Sequence, residues 1–360
     1  MKKIGILTLT GDNNYGNKLQ NYAMEYIFRE IGFSVETIRI SRLPYHKLVF
    51  RTYLQNCFLF CLSDKRRMKI KRRMKFLSFN KKITRSKMHI NPNEQESNIK
   101  KKLENFDYLV YGSDQIWNPE LPTFSEIYLG KYARPQKNIA VSASLGIASI
   151  PDEFKEVFEC GLLRFQAISV REEAGKNAIQ NLAGGFDVEV LIDPTLMLAS
   201  NQWQKIEKKV AISSEYVLIY FLGKYESAFI EQLLKDNDSK RLDAGSKQPY
   251  GPDEFIYLVR NAEVVVTDSF HASAFSIIFG KEVYIIRRED RYSSMESRID
   301  TLVEKVGVSY EKSNEYIRIK RNAILEKEAK EKMADEKGKF IHYIERNFTI
   351  NNPNSSDKGD

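Results

Sequence analysis

The sequence predicts an α/β protein with two doubly wound, Rossmann-like domains that face each other across a cleft. Its 360 residues exceed the usual size of a single domain, so two domains of roughly 150 residues each are expected. The chain opens with a βαβ pattern, in which an apolar run at 4–9 precedes a helix-periodic stretch and an alternating strand at 34–40. Short apolar runs alternating with helices return after residue 165.

This rhythm divides the chain into segments. Residues 1–165 are expected to form an N-terminal α/β domain that contains an inserted, basic helical segment at about 43–100. Residues 166–320 are expected to form a C-terminal α/β domain. A charged C-terminal helix follows at 321–350, and the polar tail at 351–360 is expected to be disordered.

The composition, with 42% hydrophobic and 29% charged residues, is that of an ordinary globular protein. Three cysteines are too few and too odd in number for a disulfide framework, which favours a cytoplasmic protein with reduced thiols. No stretch of about 20 apolar residues is present to span a bilayer. No cluster of metal ligands is visible, so no metal is expected.

The basic charge is concentrated in one segment. Residues 65–87 contain twelve Lys or Arg and no acid, so removing them from the net charge of +8 leaves about −4 for the rest of the chain. An apolar helical stretch at 48–62 precedes them. One interpretation is an inserted helical hairpin with a solvated charged face. Another is that residues 43–88 dock on an anionic inner-membrane surface. No recognition fold accompanies the patch, so nucleic acid is not expected to be a partner.

The most suggestive strand end in the C-terminal domain is Thr267-Asp268-Ser269-Phe270-His271, which follows the apolar run at 264–266. A histidine three residues after an aspartate can be oriented by the carboxylate and can move protons near neutral pH. The helix that starts near Ser269 directs backbone N–H groups toward an anion. The alternative is structural, with Asp268 as an N-cap and His271 packed at the helix start.

Other anion-binding candidates lie in the same domain. Guanidinium groups and hydroxyls follow the strand at 283–286, a composition suited to phosphate and carboxylate, and one more arginine ends an earlier strand. The alternative is a solvated loop whose charges pair with each other. The candidates are Arg171, Arg288, Arg291, Ser293, Ser294 and Arg298.

The N-terminal domain has amide, hydroxyl and aromatic side chains at two strand ends, a composition that suits a sugar. The loop at 11–17 is neither GxGxxG nor a P-loop, so it carries no nucleotide motif. Turn chemistry is the structural alternative. The expected acceptor-binding residues are Asn14, Tyr15, Asn17, Gln20, Ser113, Gln115 and Trp117.

Five motifs occur in an order that resembles the polysaccharide pyruvyl transferase family, over about residues 3–310. They are Asn14-Tyr15-Gly16 with Leu19-Gln20, the segment Tyr111-Gly112-Ser113-Asp114-Gln115-Ile116-Trp117-Asn118, the strand end Ile168-Ser169-Val170-Arg171-Glu172, Asp193-Pro194-Thr195, and Thr267-Asp268-Ser269-Phe270-His271. The resemblance implies a GT-B-like fold, with the acceptor on the N-terminal side and the donor on the C-terminal side.

It also implies transfer of a pyruvyl group from phosphoenolpyruvate to two hydroxyls of a sugar, as a cyclic ketal. His271 matches the histidine of the family's Arg-Leu-His triplet and takes its acid/base role, whereas Ser269 stands at the arginine position. The arginine loop that contains Arg288, Arg291 and Arg298 is the expected replacement. Asp114 is the expected base for the acceptor hydroxyl.

This chemistry belongs to surface polysaccharide synthesis, as in capsule or exopolysaccharide, and the acceptor is a sugar or lipid-linked oligosaccharide. No cofactor is expected beyond phosphoenolpyruvate as co-substrate. Two other interpretations remain. One is a GT-B glycosyltransferase that uses a nucleotide-sugar, and the other is a non-catalytic protein that docks on a membrane assembly through the segment at 43–100.

Overall fold

A computed structural model describes residues 1–42, 44–57, 63–83, 85–212, 214–223, 228–236, 240–245, 248–287 and 294–349. The first sheet has seven parallel strands in the order β3-β2-β1-β4-β5-β6-β7. They are β1 (Lys3–Leu7), β2 (Ser34–Ile40), β3 (Arg85–Ile90), β4 (Tyr108–Tyr111), β5 (Asn138–Ala143), β6 (Phe165–Val170) and β7 (Glu189–Val190).

The second sheet has six strands in the order β12-β13-β11-β10-β8-β9. Its strands β8 to β11 are parallel, and the last two strands pair antiparallel at one edge. They are β8 (Tyr216–Tyr220), β9 (Lys240–Asp243), β10 (Val264–Thr267), β11 (Glu282–Ile286), β12 (Tyr310–Lys312) and β13 (Tyr316–Ile319). The predicted two-domain, GT-B-like α/β fold is confirmed.

Helices connect the strands and cover the sheets. Their apolar sides pack against the sheets and form clusters of buried aliphatic and aromatic residues with them. The helices are α1 (Tyr15–Glu30), α2 (Tyr45–Cys57), α3 (Asp64–Phe79), α4 (Glu96–Leu103), α5 (Asp152–Leu162), α6 (Glu173–Gln180), α7 (Pro194–Met197), α8 (Ser200–Gln204), α9 (Ala228–Asp236), α10 (Pro252–Asn261), α11 (Phe270–Ile278), α12 (Ser294–Val306) and α13 (Lys327–Asn347). None of the helices described is long and apolar enough to cross a membrane.

The boundary predicted near residue 165 falls inside the first sheet. Strand β6 pairs with β5, and β7 pairs with β6, so the first sheet continues to Val190. The inserted segment is also shorter than 43–100, because β3 pairs with β2 as an edge strand. The strand Arg85–Ile90 carries two basic residues and a histidine, so its sequence does not resemble the apolar runs that predict the other strands. Charges are common on edge strands because they discourage pairing with other chains.

Helices α2 and α3 form the hairpin expected within the inserted segment. The charged helix predicted at 321–350 is α13. Helix α13 returns from the second sheet to the first, where the Tyr343 hydroxyl donates to the Ala140 carbonyl at 2.8 Å. Beyond it, Phe348 packs edge-on against Phe28 and Tyr108. The predicted disordered tail at 351–360 lies outside the described residues.

Each sheet contains one point at which the strand order reverses. In the first sheet the reversal lies between β1 and β4, and in the second between β8 and β10. Such switch points leave a crevice at the carboxyl ends of the strands, where ligands bind in α/β proteins. The loop at 8–14, Ser113 and the start of α11 all lie at these two crevices.

Candidate active site

The junction between β10 and α11 brings His271 into the second position of its helix. Ser269 is the N-cap, with extended backbone angles and a hydroxyl that accepts from the Ala272 N–H at 3.4 Å. The imidazole is only 8% exposed. The junction is as predicted, and the Ser269 side chain serves as the helix cap. Its expected contact with the donor stays a prediction.

Asp193 is the carboxylate that faces His271. Its Oδ2 lies 3.7 Å from Nε2 of the imidazole, longer than a hydrogen bond. Catalytic pairs often have such separations before substrate binds. The other oxygen, Oδ1, accepts from the backbone N–H of Thr195 at 2.9 Å and from its hydroxyl at 2.7 Å, so Asp193 caps α7. These bonds fix the carboxylate in position.

The charge of Asp193 is maintained by its neighbours. Complete burial raises the pKa of this carboxyl, but His271, the guanidinium of Arg171 and the bond from Thr195 outweigh it and hold the pKa below its usual range. Asp193 is therefore ionised at neutral pH. An ionised, fixed carboxylate can accept an N–H from the imidazole and set the orientation of the ring.

Arg171 is the buried cation of the site. Its Nη1 donates to Asp193 Oδ2 at 2.7 Å and to the Ser113 carbonyl at 2.9 Å, and its Cζ lies 4.3 Å from the centre of the Phe270 ring. Burial lowers its pKa, but Asp193 and Glu172 raise it above the ordinary value. Within the described ranges, Nε and Nη2 have no hydrogen-bond partner, which leaves two donors for an anion.

Asp268 has a different role from the one expected. Its two carboxylate oxygens accept from the backbone N–H groups of Leu222 at 2.7 Å and Gly223 at 3.0 Å. These bonds join the end of β8 to the end of β10. The orienting carboxylate predicted at Asp268 is therefore corrected to Asp193, which is supplied by the other sheet.

The Asn14-Tyr15-Gly16 motif forms the opposite wall. Asn14 caps α1 through a bond from the Gly16 N–H at 2.8 Å. A Cβ on Gly16 would lie 2.1 Å from Nδ1 of His271, so only glycine allows the imidazole this close. Tyr15 is completely buried, stacked on Phe255 with ring centres 4.2 Å apart. Tyr15 lies between the two halves, where its hydroxyl donates to the Ala244 carbonyl at 3.1 Å, and its expected contact with an acceptor stays a prediction.

Most of the other expected acceptor residues hold the strand ends together. Gln20 donates to the Thr8 hydroxyl at 2.8 Å and accepts from the Ser113 N–H at 3.1 Å. The Ser113 hydroxyl donates to Asp193 Oδ2 at 3.3 Å. Trp117 is completely buried and donates to the Tyr128 carbonyl at 2.8 Å. Gln20 and Trp117 are fully buried and have structural contacts, and their expected contact with an acceptor stays a prediction.

Three of the expected acceptor-side residues are partly exposed or have a polar atom without a hydrogen-bond partner. Asn17 and Gln115 are half-buried. Asp114 is buried, and its Oδ1 accepts from the Gln115 N–H at 2.9 Å. Its Oδ2 makes no hydrogen bond within the described part of the chain. Asp114 lies near enough to Arg171 to raise its pKa, so it belongs to the same cluster of charges.

The arginine loop is described only at its end. Arg288, Arg291 and Ser293 lie outside the described residues, and Ser294 begins α12 without a described side chain. Arg298 is buried on α12, one turn before Thr301. The Thr301 hydroxyl accepts from the N–H of Glu173 at 3.4 Å, so α12 runs beside the segment that carries Arg171.

Sequence reasoning missed Asp193 and Gly16 as parts of the site, although both lie in motifs that it singled out. A proline and a threonine after Asp193 signal a helix cap, not a partner for a distant histidine. Thr301, Lys305 and Phe270 were also missed; with Arg171 and Asp193 they line a small cavity. Among the residues described, no group of three or more His, Cys, Asp or Glu could hold a metal ion.

Together, the two sheets supply an imidazole, an ionised carboxylate and a buried guanidinium within one contact network. This arrangement can bind an anion and move a proton. Both the imidazole and the guanidinium are largely buried, with His271 8% and Arg171 3% exposed.

Three solved structures resemble this chain in fold. The UDP-GlcNAc 2-epimerase of Methanocaldococcus jannaschii is 16% identical, with a TM-score of 0.48 and coverage of 85% of this chain and 86% of that one. The UDP-GlcNAc 2-epimerase of Neisseria meningitidis is 12% identical, with a TM-score of 0.46 and coverage of 96% and 93%. An α-glucosyltransferase solved with UDP and a 13-mer DNA is 8% identical, with a TM-score of 0.43 and coverage of 95% of both chains.

A search of curated proteins found no match. The family model for polysaccharide pyruvyl transferase, in contrast, matches residues 14–290. This range begins at the Asn14 cap, contains His271, Asp193 and Arg171, and covers most of both sheets. The chain therefore belongs to the polysaccharide pyruvyl transferase family, a class of enzymes.

Proposed function

We propose that this protein transfers a pyruvyl group from phosphoenolpyruvate to two hydroxyls of a sugar, forming a cyclic ketal and releasing phosphate. The observation that carries the proposal is the contact network of His271, Asp193 and Arg171 at the meeting point of the two sheets. It combines a proton carrier with a buried cation, and phosphoenolpyruvate requires both.

The donor is a small molecule with a carboxylate and a phosphate. The two unoccupied donors of Arg171 suit one of these anions through paired N–H bonds. Arg298 and the arginine loop, Arg288 and Arg291, are the proposed ligands of the other. Ser269, as a cap, contributes to the pocket by holding the start of α11 in place.

The proposed reaction has two bond-forming stages. First, His271 delivers a proton to the methylene carbon, and one sugar hydroxyl attacks the adjacent carbon while Asp114 takes its proton. The methylene becomes a methyl group, and phosphate remains attached. The second hydroxyl then attacks the same carbon while His271 takes its proton. The carbon–oxygen bond to phosphate breaks, and phosphate leaves with that electron pair and receives the proton held by Asp114. The products are the cyclic ketal and inorganic phosphate.

The proposed acceptor is a sugar, free or in a lipid-linked oligosaccharide, that carries two hydroxyls close enough to close a ketal ring. The family's action on polysaccharide supports this choice. Asn17 and Gln115, half-buried near Asp114, are the proposed acceptor contacts. We place the reaction in the cytoplasm, in the synthesis of a surface polymer such as capsule or exopolysaccharide.

The test is phosphate release from phosphoenolpyruvate in the presence of a panel of glycan acceptors, with the product mass measured. The expected result is acceptor-dependent phosphate release, a product that has gained a pyruvyl ketal, and loss of both in His271→Ala. Release of UDP from a UDP-sugar, with no phosphate from phosphoenolpyruvate, would establish a glycosyltransferase and overturn the proposal.

A further inference from the structure

The hairpin of α2 and α3 has two ends with different surroundings. We call Phe50, Tyr53, Leu54 and the first half of α3, residues 64–71, the tip, and residues 72–79 the root. At the root, Arg72 is buried with its Cζ 4.3 Å from the centre of the Tyr15 ring. Its nitrogens donate to the Tyr15 hydroxyl, to the Asn13 carbonyl at 3.1 Å and to the Gln248 carbonyl at 3.1 Å.

Lys75 connects the root to the second half through an ion pair. Its Nζ lies 2.7 and 2.8 Å from the two carboxylate oxygens of Glu254, at the start of α10. Glu254 also accepts from the Gly251 N–H at 2.9 Å, so the pair is tied to the N-terminus of that helix. Two residues of the basic run are therefore structural, and they hold the hairpin to both sides of the cleft beside His271.

The tip, in contrast, exposes apolar side chains. Phe50 is 65%, Tyr53 53% and Leu54 46% exposed on α2, and Met68 is exposed on α3. They are four of the nine large hydrophobic side chains that lie exposed in the ranges described, and the other five are scattered over the chain. Burial of such side chains is favourable, so an exposed cluster indicates a surface that becomes covered.

Basic side chains surround this apolar cluster. Lys65, Arg66, Lys69 and Lys71 are exposed, and Asp64, the one acid in α3, pairs with Arg67. The combination of basic and exposed aromatic or aliphatic side chains on short helices suits the interface of a bilayer with anionic lipids. A nucleic acid would use the charges but would leave Phe50 and Leu54 in water.

We propose that the tip of the hairpin docks on an anionic lipid bilayer, while the root keeps the docked hairpin attached to both sides of the cleft. The occupant is the lipid surface itself, with headgroups against the basic residues and the apolar side chains at the acyl boundary. Docking does not depend on the donor chemistry, so it holds or fails separately from the proposed transferase activity.

The first experiment is flotation of the full chain with vesicles of phosphatidylcholine, alone or with phosphatidylglycerol. Binding is expected only with the anionic lipid and is expected to weaken as salt is raised. The variant Lys65→Gln/Arg66→Gln/Lys69→Gln is expected to lose about 100-fold in affinity, because each basic residue near such a surface contributes about fivefold. The matched control, Lys320→Gln/Lys327→Gln/Lys330→Gln, removes the same charge elsewhere and is expected to bind normally.

The apolar part of the surface has its own variant, Phe50→Ser/Leu54→Ser, which keeps all charges. It is expected to weaken binding to anionic vesicles at least tenfold, whereas a nucleic acid or another polyanion would not distinguish it from the wild type. Melting temperatures of all variants confirm that they fold, since these side chains are exposed.

The chain also offers a matched pair of exposed cysteines for labelling. Cys57 lies at the end of α2 near the tip, and Cys160 lies on α5 of the first sheet. With Cys61→Ser and one of the two replaced by serine, an environment-sensitive dye on Cys57 is expected to shift to the blue with anionic vesicles. The same dye on Cys160 is expected to stay unchanged.

Three results would overturn the proposal: equal binding by the tip variants and the wild type, equal dye responses at Cys57 and Cys160, or binding to soluble nucleic acid with none to vesicles. All are read without phosphoenolpyruvate or acceptor. A failure of the transferase activity would therefore leave the docking result intact, and the reverse also holds.

Discussion

Two carboxylates lie at the carboxyl ends of strands near His271, one in each sheet, and they differ in what they hold. Asp268, three residues before the histidine, accepts from the backbone of Leu222 and Gly223 and joins neighbouring strands of its own sheet. Asp193, from the first sheet, faces the imidazole and binds Arg171. The aspartate nearest to His271 in sequence therefore braces the strands, whereas the carboxylate that faces the imidazole comes from the opposite side of the cleft.

The site therefore forms only where the two halves meet. The imidazole comes from the second sheet, and the carboxylate, the guanidinium and the Gly16 wall come from the first. Tyr15 and Arg72 hold the halves together next to this point. Changes at Asp193 and at Asp268 should therefore affect different properties of the protein.

Asp193→Asn should have the largest effect. We expect kcat for phosphate release to fall about 1000-fold, because the neutral amide no longer orients the imidazole. The KM for phosphoenolpyruvate should change much less, since Arg171 keeps its bond to the Ser113 carbonyl. Steady-state kinetics on protein with a cooperative thermal transition measure both. Asp193→Glu, which keeps the charge, should recover part of the loss; an unchanged kcat in Asp193→Asn would exclude the positioning role.

Gly16→Ala should come second. The new Cβ would lie 2.1 Å from Nδ1 of His271, so the ring must move, and we expect kcat to fall about 100-fold. The matched control is Gly338→Ala on the exposed face of α13, where a Cβ meets no atom within 4 Å. That change should leave kcat unaltered and stabilise the helix by about 1 kcal/mol. Equal kinetics for the two variants would contradict the close approach of Gly16 and His271.

Asp268→Asn should leave kcat within about twofold of the wild type and reduce stability instead. Two charge-assisted bonds to backbone N–H groups are weakened, so we expect the free energy of unfolding to fall by about 2 kcal/mol. Urea unfolding measures this loss. A large fall in kcat with unchanged stability would reverse the assignment of the two carboxylates.

Asp12 should show the smallest effect, and only in acid. Burial raises the pKa of Asp12, but Lys18, Arg39 and Asn80 together outweigh burial and lower the pKa to about 2. A depressed folded-state pKa stabilises the protein above the unfolded value of about 3.8 and loses this contribution as the pH falls toward 2. Relative to Asp12→Asn, the free energy of unfolding of the wild type should therefore fall by up to about 2 kcal/mol between pH 4 and pH 2, as measured by urea titrations. Parallel pH profiles would show that Lys18 and Arg39 do not act on Asp12.

Local patterns predicted most of the strands and the β10–α11 junction. The apolar runs at 4–9 and 264–266 are buried strands, and their polar ends lie at the two crevices. Position along the chain also identified His271 and Arg171 as candidates. These features follow from periodicity and from the rule that parallel strands present their carboxyl ends at one edge.

The remaining features depend on contacts between distant residues. The sequence predicts that Tyr15 and Trp117 face a sugar, and only the tertiary packing shows what covers them. Tyr15 packs on Tyr220 and Phe255 across the cleft. Trp117, in contrast, is buried against Tyr128 and Phe165 within the first half. Asp193 and His271 are far apart in sequence and meet only across the cleft. The basic run has uniform composition, yet Arg72 and Lys75 face inward while the tip faces solvent.

A double-mutant cycle in phosphate release from phosphoenolpyruvate measures whether Asp193 acts through His271. It compares the wild type, His271→Ala, Asp193→Asn and the double variant with one glycan acceptor. If Asp193 acts through His271, the double variant will be no slower than His271→Ala, within about threefold, because the carboxylate has nothing left to orient. Losses that multiply, or a His271→Ala protein that still releases phosphate at the wild-type rate, would contradict the account.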